Sequence, residues 1–155
     1  MPRILVCSDS HGRADLLALA YDQQPKAEAL VFLGDGLSDT GIFSSSGKTH
    51  YLVRGNCDAG AQIPATQGFL FGGKNIMCTH GHRYYVKHSL DELLRHAKQH
   101  AFDLVLYGHT HVPRVDYIDG IYFFNPGSLW QDKSYGFVDV SPAGIVCQNL
   151  RARVY

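Results

Sequence analysis

The chain has 155 residues, 45% hydrophobic and 18% charged, with Lys+Arg 14 against Asp+Glu 14. That length predicts one domain over residues 1–155 with room for a sizeable core. The zero formal net charge removes the average attraction that long nucleic acids and acidic membranes exploit. No basic-then-apolar leader opens the sequence and no apolar run approaches ~20 residues, so the expected compartment is the cytoplasm, with no membrane contact. Four dispersed cysteines (Cys7, Cys57, Cys78 and Cys147) form no C-x-x-C and read as reduced, mostly buried thiols. The nine histidines are the compositional outlier.

Arg3–Cys7 is an apolar run suited to a strand buried on both faces, and it stops at Ser8-Asp9-Ser10-His11-Gly12. Residues 13–23 read as a helix, with Leu16, Leu17, Ala20 and Tyr21 on one face and Pro25 just beyond. Two further buried runs, 29–33 and 51–53, end at Gly34-Asp35-Gly36 and at Gly55-Asn56-Cys57-Asp58. Between them Ser44-Ser45-Ser46-Gly47 reads as a surface loop. Residues 69–71 and 74–77 flank Gly72-Gly73 as a hairpin, and the run 75–78 ends at Thr79-His80-Gly81-His82. Residues 89–100 form a second predicted helix: Ser89 and Glu92 match a capping box, and Leu90, Leu93, Leu94 and Ala97 follow core-facing spacing. The fifth run, 104–107, ends at Gly108-His109-Thr110-His111. Two antiparallel hairpins follow, 112–118 with 121–124 around Asp119-Gly120, and 136–140 with 145–150 around Pro142-Ala143-Gly144. Phe69, Phe71, Tyr84, Tyr85, Tyr122, Phe123 and Phe124 read as core and hairpin packing.

Five apolar runs thus each end in a short glycine-containing loop that carries a ligand-type residue. Ligands of open α/β sheets collect at the carboxyl ends of strands, so these loops are placed to deliver Asp9, His11, Asp35, Asn56, His80, His109 and His111 to one location. His109 and His111, one residue apart, share a side at a strand end but not on a helix. Carboxylate oxygen mixed with imidazole nitrogen suits a divalent transition metal rather than calcium or an iron–sulfur cluster. Seven ligands exceed the needs of one metal with an open position and suit two metals sharing a carboxylate. Such pairs, with ions roughly 3.5–4 Å apart, clamp the attacking and leaving oxygens of a phosphoryl displacement, and a comparable zinc site lowers the pKa of water from 15.7 toward ~7. A hydroxide nucleophile then needs no Ser or Cys triad, and none is recognisable.

The ordered series Asp9-x-His11, Gly34-Asp35, Gly55-Asn56, Thr79-His80-Gly81-His82 and Gly108-His109-x-His111 resembles the calcineurin-like metallophosphoesterase family, in its small bacterial and archaeal phosphodiesterase branch. Asn125-Pro126-Gly127-Ser128 resembles a segment that branch carries after its last motif. The resemblance implies an α/β fold, a four-layer αββα sandwich of two mixed sheets flanked by helices. It assigns Asp9, His11 and His111 to one metal, Asn56, His80 and His109 to the second, and Asp35 to both. Mn²⁺ is the expected metal, with Ni²⁺, Fe²⁺, Zn²⁺, Co²⁺ or Mg²⁺ as alternatives. The implied reaction is attack of metal-bound hydroxide on the phosphorus of a small phosphodiester, with Asn56 and His80 nearest the phosphate, and the branch implies a homodimer.

Two departures stand out. Cys57 occupies the place where most members carry a histidine after the asparagine, so the proton donor to the leaving group is unassigned; a thiol is a poor acid for an alkoxide beside cations. Ser38 stands where a second aspartate is usual, and Asp39, one position later, is given no role. Asp58 is read as orienting a ligand from behind or opening the next turn. His82 is read as a phosphate contact, a partner behind a ligand, or a surface residue, while His88, His96 and His100 are read as solvated. The rival functions are a non-catalytic interaction scaffold on this fold and a nucleotide phosphatase or nuclease.

Overall fold

The computed structural model describes residues 1–154. In chain order its elements are β1 (Arg3–Cys7), α1 (Ala14–Asp22), β2 (Ala29–Phe32), α2 (Gly41–Ser45), β3 (Thr49–Leu52), β4 (Thr66–Phe71), β5 (Lys74–Thr79), α3 (Asp91–Gln99), β6 (Leu104–Tyr107), β7 (Arg114–Ile118), β8 (Ile121–Asn125), α4 (Leu129–Asp132), β9 (Ser134–Ser141) and β10 (Gly144–Arg151). They form two five-stranded sheets, ordered β10-β9-β1-β2-β3 and β4-β5-β6-β8-β7. Each is mixed. β1, β2 and β3 run parallel while β9 and β10 pair antiparallel beside them; β5, β6 and β8 run parallel between antiparallel β4 and β7.

The sheets pack face to face through Ile4, Val6, Val31 and Val138 from one and Ile76, Cys78, Leu106 and Phe124 from the other. The outer face of the first sheet buries Leu5, Leu30 and Phe32 against Leu16, Leu17 and Ala20 of α1, Phe43 of α2 and Leu129 of α4. The outer face of the second buries Met77, Val105 and Phe123 against Leu93 and Ala97 of α3. Four layers result, and β1, β2 and β6 carry no polar alternation because both their faces are covered. Each wholly buried Leu, Ile, Val or Phe contributes about 1.5–3 kcal/mol through area removed from water. No helix among the described residues is long and apolar enough to cross a membrane.

Several predicted elements shift. The Ser89–Glu92 capping box does not form: α3 starts at Asp91, Ser89 Oγ accepts only the Asp91 N–H at 3.3 Å, and Glu92 pairs with Arg95 at 2.6 Å. Burial of Leu90 beside Leu93 sets the entry of the chain one residue later than the box requires. Half of the predicted serine loop is helical, since α2 runs to Ser45. The third run begins earlier and is less buried than expected, because β3 is a sheet edge with Thr49 and His50 exposed. His96 is half-buried, its ring 5.2 Å from Tyr84 and 4.4 Å from His100, and so departs from the solvated reading. Phe123 and Phe124 are buried, and Phe69 stacks on Tyr51 at 3.8 Å as packing.

The carboxyl ends of β1, β2, β3, β5 and β6 carry the loops of interest. Backbone hydrogen bonds join those loops, from Asp9 N to Gly34 O (3.0 Å), His11 N to Asp35 O (3.1 Å) and Gly108 N to His80 O (3.0 Å).

Candidate metal centre

Backbone conformation is the first unusual feature of these loops. Asp9 (φ 53°), His11 (42°), Asp35 (60°), His109 (71°) and His111 (64°) all lie in the left-handed region. That region costs an L-residue about 1–2 kcal/mol, and clusters of such residues persist where the surroundings over-determine them. Gly34 shows how close the loops come: a Cβ there would sit 2.5 Å from Gly55 N, so only glycine lets the β2 and β3 ends meet.

Each carboxylate commits one oxygen to the protein and turns the other inward. Asp9 Oδ2 accepts the Ser8 hydroxyl and the His109 N–H (3.2 Å). Its Oδ1 faces His111 Nε2 at 3.1 Å, His11 Nε2 at 3.7 Å and His80 Nε2 at 3.9 Å. Asp35 Oδ1 accepts the Cys57 N–H at 2.8 Å, and Oδ2 faces His80 Nε2 at 3.2 Å and His11 Nε2 at 3.9 Å.

The imidazoles are oriented the same way. His80 Nδ1 lies 2.7 Å from the Leu33 carbonyl, which only accepts, so that nitrogen carries the proton and Nε2 is turned inward. His111 Nδ1 meets Gln131 Oε1 at 2.8 Å and likewise presents Nε2 to Asp9. His109 Nδ1 is 3.1 Å from His80 Nε2. Burial pulls the His80 pKa down, but Asp35 and Asp9 outweigh it and the net shift is upward. Burial and the neighbouring His80 charge push His109 down to about 4. Burial raises the Asp35 carboxyl, and the His80 hydrogen bond and charge more than reverse that, leaving it well below the carboxylate range. His111 is raised, chiefly by its hydrogen bond to Asp9.

Other residues hold this arrangement. Asp58 accepts four backbone N–H groups, from Asp35 (2.7 Å) and Gly55 (2.8 Å) on Oδ2 and from Gly36 (3.0 Å) and Leu37 (3.1 Å) on Oδ1. All four lone-pair directions of the carboxylate are thereby used, so Asp58 positions the β2 and β3 loops and has no free oxygen for chemistry. Asp39, given no role from sequence, is buried and accepts Ser10 Oγ (2.6 Å) and Gly12 N (2.9 Å), which ties down the Asp9–His11 loop. Asn125 donates to Gly108 O (3.2 Å) and Thr110 Oγ1 (2.9 Å), and Ser128 Oγ donates to Asp9 O (2.9 Å). Gln131, which holds His111 Nδ1, carries no sequence signal beyond its proximity to the Asn125–Ser128 segment.

The remaining candidates sit as follows. Asn56 is exposed, and its Nδ2 meets only Cys57 Sγ, at 3.6 Å, leaving Oδ1 without a hydrogen-bond partner among the described residues. Cys57 is exposed, and burial together with the Asp35 charge raises its thiol pKa. The His82 ring lies 5.5 Å from His80 and 6.1 Å from His109, with Nδ1 buried and unpartnered.

Three groups of donor atoms each lie within 4.8 Å of one another: Asp9, His11 and His111; His11, Asp35 and Cys57; Asp35, His80 and His109. Inward lone pairs on carboxylates and imidazoles repel one another unless positive charge sits among them. The upward shift at His80 reflects part of that demand, and divalent ions answer it more fully, so the donor set fits a metal centre.

Carboxylates and imidazoles gathered at the strand ends of an αββα sandwich are the architecture of a metallophosphoesterase. The chain belongs to the calcineurin-like phosphoesterase superfamily, whose domain model matches residues 2–142. It is 35% identical over 133 residues to a probable metallophosphoesterase of Mycoplasma pneumoniae, covering 83% of this chain and 80% of that one. It is 28% identical to phosphodiesterase YfcE of Escherichia coli K12 over an alignment of 179 positions, covering 96% and 94%. Its fold matches the crystal structure of a predicted phosphoesterase from Streptococcus pneumoniae TIGR4 with a TM-score of 0.79 and 26% identity, over 96% and 98% of the two chains.

Proposed function

We propose that the chain is a dinuclear metal-dependent phosphodiesterase acting on small esters. The observation that carries this reading is the adjacency of two donor groups, one around Asp9 and one around Asp35, linked by His80 Nε2 to Asp9 Oδ1 and His11 Nε2 to Asp35 Oδ2, both at 3.9 Å. Asp9, His11 and His111 would hold one ion, and Asn56, His80 and His109 the other. Asp35, whose Oδ1 is held by the Cys57 N–H while Oδ2 faces His80 and His11, would serve both. When bound, a pair of divalent ions supplies an acidified water and positive charge against the phosphoryl oxygens.

The chain's own residues keep this site rigid and aimed. Leu33 O and Gln131 Oε1 fix the ring orientations of His80 and His111, an arrangement whose loss typically costs 10–100-fold in metal affinity or activity. His82 stands beside His80 and His109, its buried Nδ1 without a hydrogen-bond partner among the described residues, and would act by packing behind those two rings. The preference for diesters is supported by the name of the Escherichia coli relative.

Chelator-treated protein reconstituted with Mn²⁺ is expected to hydrolyse bis(p-nitrophenyl) phosphate faster than p-nitrophenyl phosphate. His109→Ala is expected to lower that rate by at least about a hundredfold, since loss of a ligand exceeds loss of its outer partner. Hydrolysis that survives both chelation and His109→Ala would contradict the proposal, and absence of hydrolysis across a broad ester panel would favour the scaffold reading.

A further inference from the structure

Trp130 is the only tryptophan in the chain and is 52% exposed. It follows Leu129, which is wholly buried against the first sheet, so α4 points one large side chain into the core and the next out over the loops. The indole stands 5.5 Å from the His11 ring at 65° and 6.2 Å from the His111 ring at 70°. These are edge contacts, and no other ring or cation stacks on the indole among the described residues.

The backbone that carries the indole is fixed. The backbone N–H of Trp130 donates to Asp9 O at 3.1 Å, that of Leu129 to Ser8 O at 3.2 Å, and Ser128 Oγ both donates to Asp9 O and accepts the Gln131 backbone N–H at 3.0 Å. The backbone of α4 is therefore tied to the loop that carries Asp9 and His11. A residue needed only to support those histidines would gain by being smaller or buried, because half an indole left in water forfeits hydrophobic stabilisation. An open indole on an anchored backbone is instead a surface on which a planar ring stacks.

Building on the phosphodiesterase reading, we infer that Trp130 forms a stacking subsite for a planar aromatic group on the ester, an aryl or nucleobase ring, on the His11–His111 side of the centre. Base–aromatic stacking is typically reduced by about 1–3 kcal/mol on alanine substitution, or roughly 5- to 150-fold.

The test uses the Mn²⁺-loaded protein and its single-tryptophan emission. Phenylphosphonate and adenosine monophosphate are titrated against methylphosphonate and inorganic phosphate. The ring-bearing ligands are expected to bind roughly tenfold or more tightly than methylphosphonate and to quench or shift the emission, which methylphosphonate does not. Both rings acting alike marks a general aromatic subsite, and a response to adenosine monophosphate alone narrows it to a nucleobase. In Trp130→Leu the preference is expected to vanish, read by competition against a fluorescent phosphonate, and in Trp130→Phe to persist in part. Equal affinity of wild-type protein for phenyl- and methylphosphonate, or an unchanged preference in Trp130→Leu, overturns the inference even if diesters are hydrolysed. Failure of every ligand to bind, phosphate included, defeats the phosphodiesterase reading and this inference with it.

Discussion

Asparagine at position 35 is expected to abolish hydrolysis while leaving the fold in place. Asp35→Asn keeps the shape of the side chain and an oxygen for the Cys57 N–H, which now approaches Asp35 Oδ1 at 2.8 Å. It removes the negative charge from the atom that faces His80 at 3.2 Å and His11 at 3.9 Å. Losing several kcal/mol of metal-derived stabilisation corresponds to about a thousandfold or more in rate. Steady-state kinetics with Mn²⁺ and an aryl phosphodiester reads the loss, and circular dichroism reads the fold. A variant within tenfold of wild type would show that Asp35 does not hold the reacting charges.

The second large effect is expected at Asp58, whose side-chain hydrogen bonds among the described residues all go to backbone N–H groups. Asp58→Ala leaves the N–H groups of Asp35, Gly36, Leu37 and Gly55 without their acceptor. Hydrogen bonds to a charged group contribute about 1.5–3 kcal/mol each, and water recovers part of that at these half-buried loops, so the expected loss of stability is about 3 kcal/mol. Activity should fall together with stability, because the same loop carries the left-handed Asp35. Asp58→Asn, with one acceptor oxygen in place of two, is expected to lie between. Urea denaturation checks the ordering; a stability for Asp58→Ala within about 0.5 kcal/mol of wild type, the range of an ordinary surface substitution, would refute it.

These two residues also show what the sequence makes legible. The buried strands were readable because a strand covered on both faces needs an unbroken apolar run, and Arg3–Cys7, Ala29–Phe32 and Leu104–Tyr107 are such runs. The convergence of Asp9, Asp35, His80 and His111 follows from the same runs ending on one side of their sheets. Among the braces, Asp58 stands next to a motif and was legible as an orienting residue or a turn, whereas Asp39 and Gln131 were not readable. Asp39 reaches back 29 positions to Ser10, and Gln131 reaches 20 positions to His111, and an Asp or Gln in a loop carries no periodicity to announce such a partner. Trp130 carries no sequence signal for a related reason: a single exposed ring acquires meaning only from its neighbours, here His11 and His111. The capping box failed because a local hydrogen-bond pattern competed with burial of Leu90, and burial set the helix start.

The proposed hydrolysis rests on two cations sharing this cluster, and counting them is the most direct test. Protein stripped with a chelator, reloaded with Mn²⁺ and freed of excess is expected to retain two ions per chain by elemental analysis. No retained ion, or a count unaltered when both Asp9 and Asp35 are replaced by alanine, would contradict it.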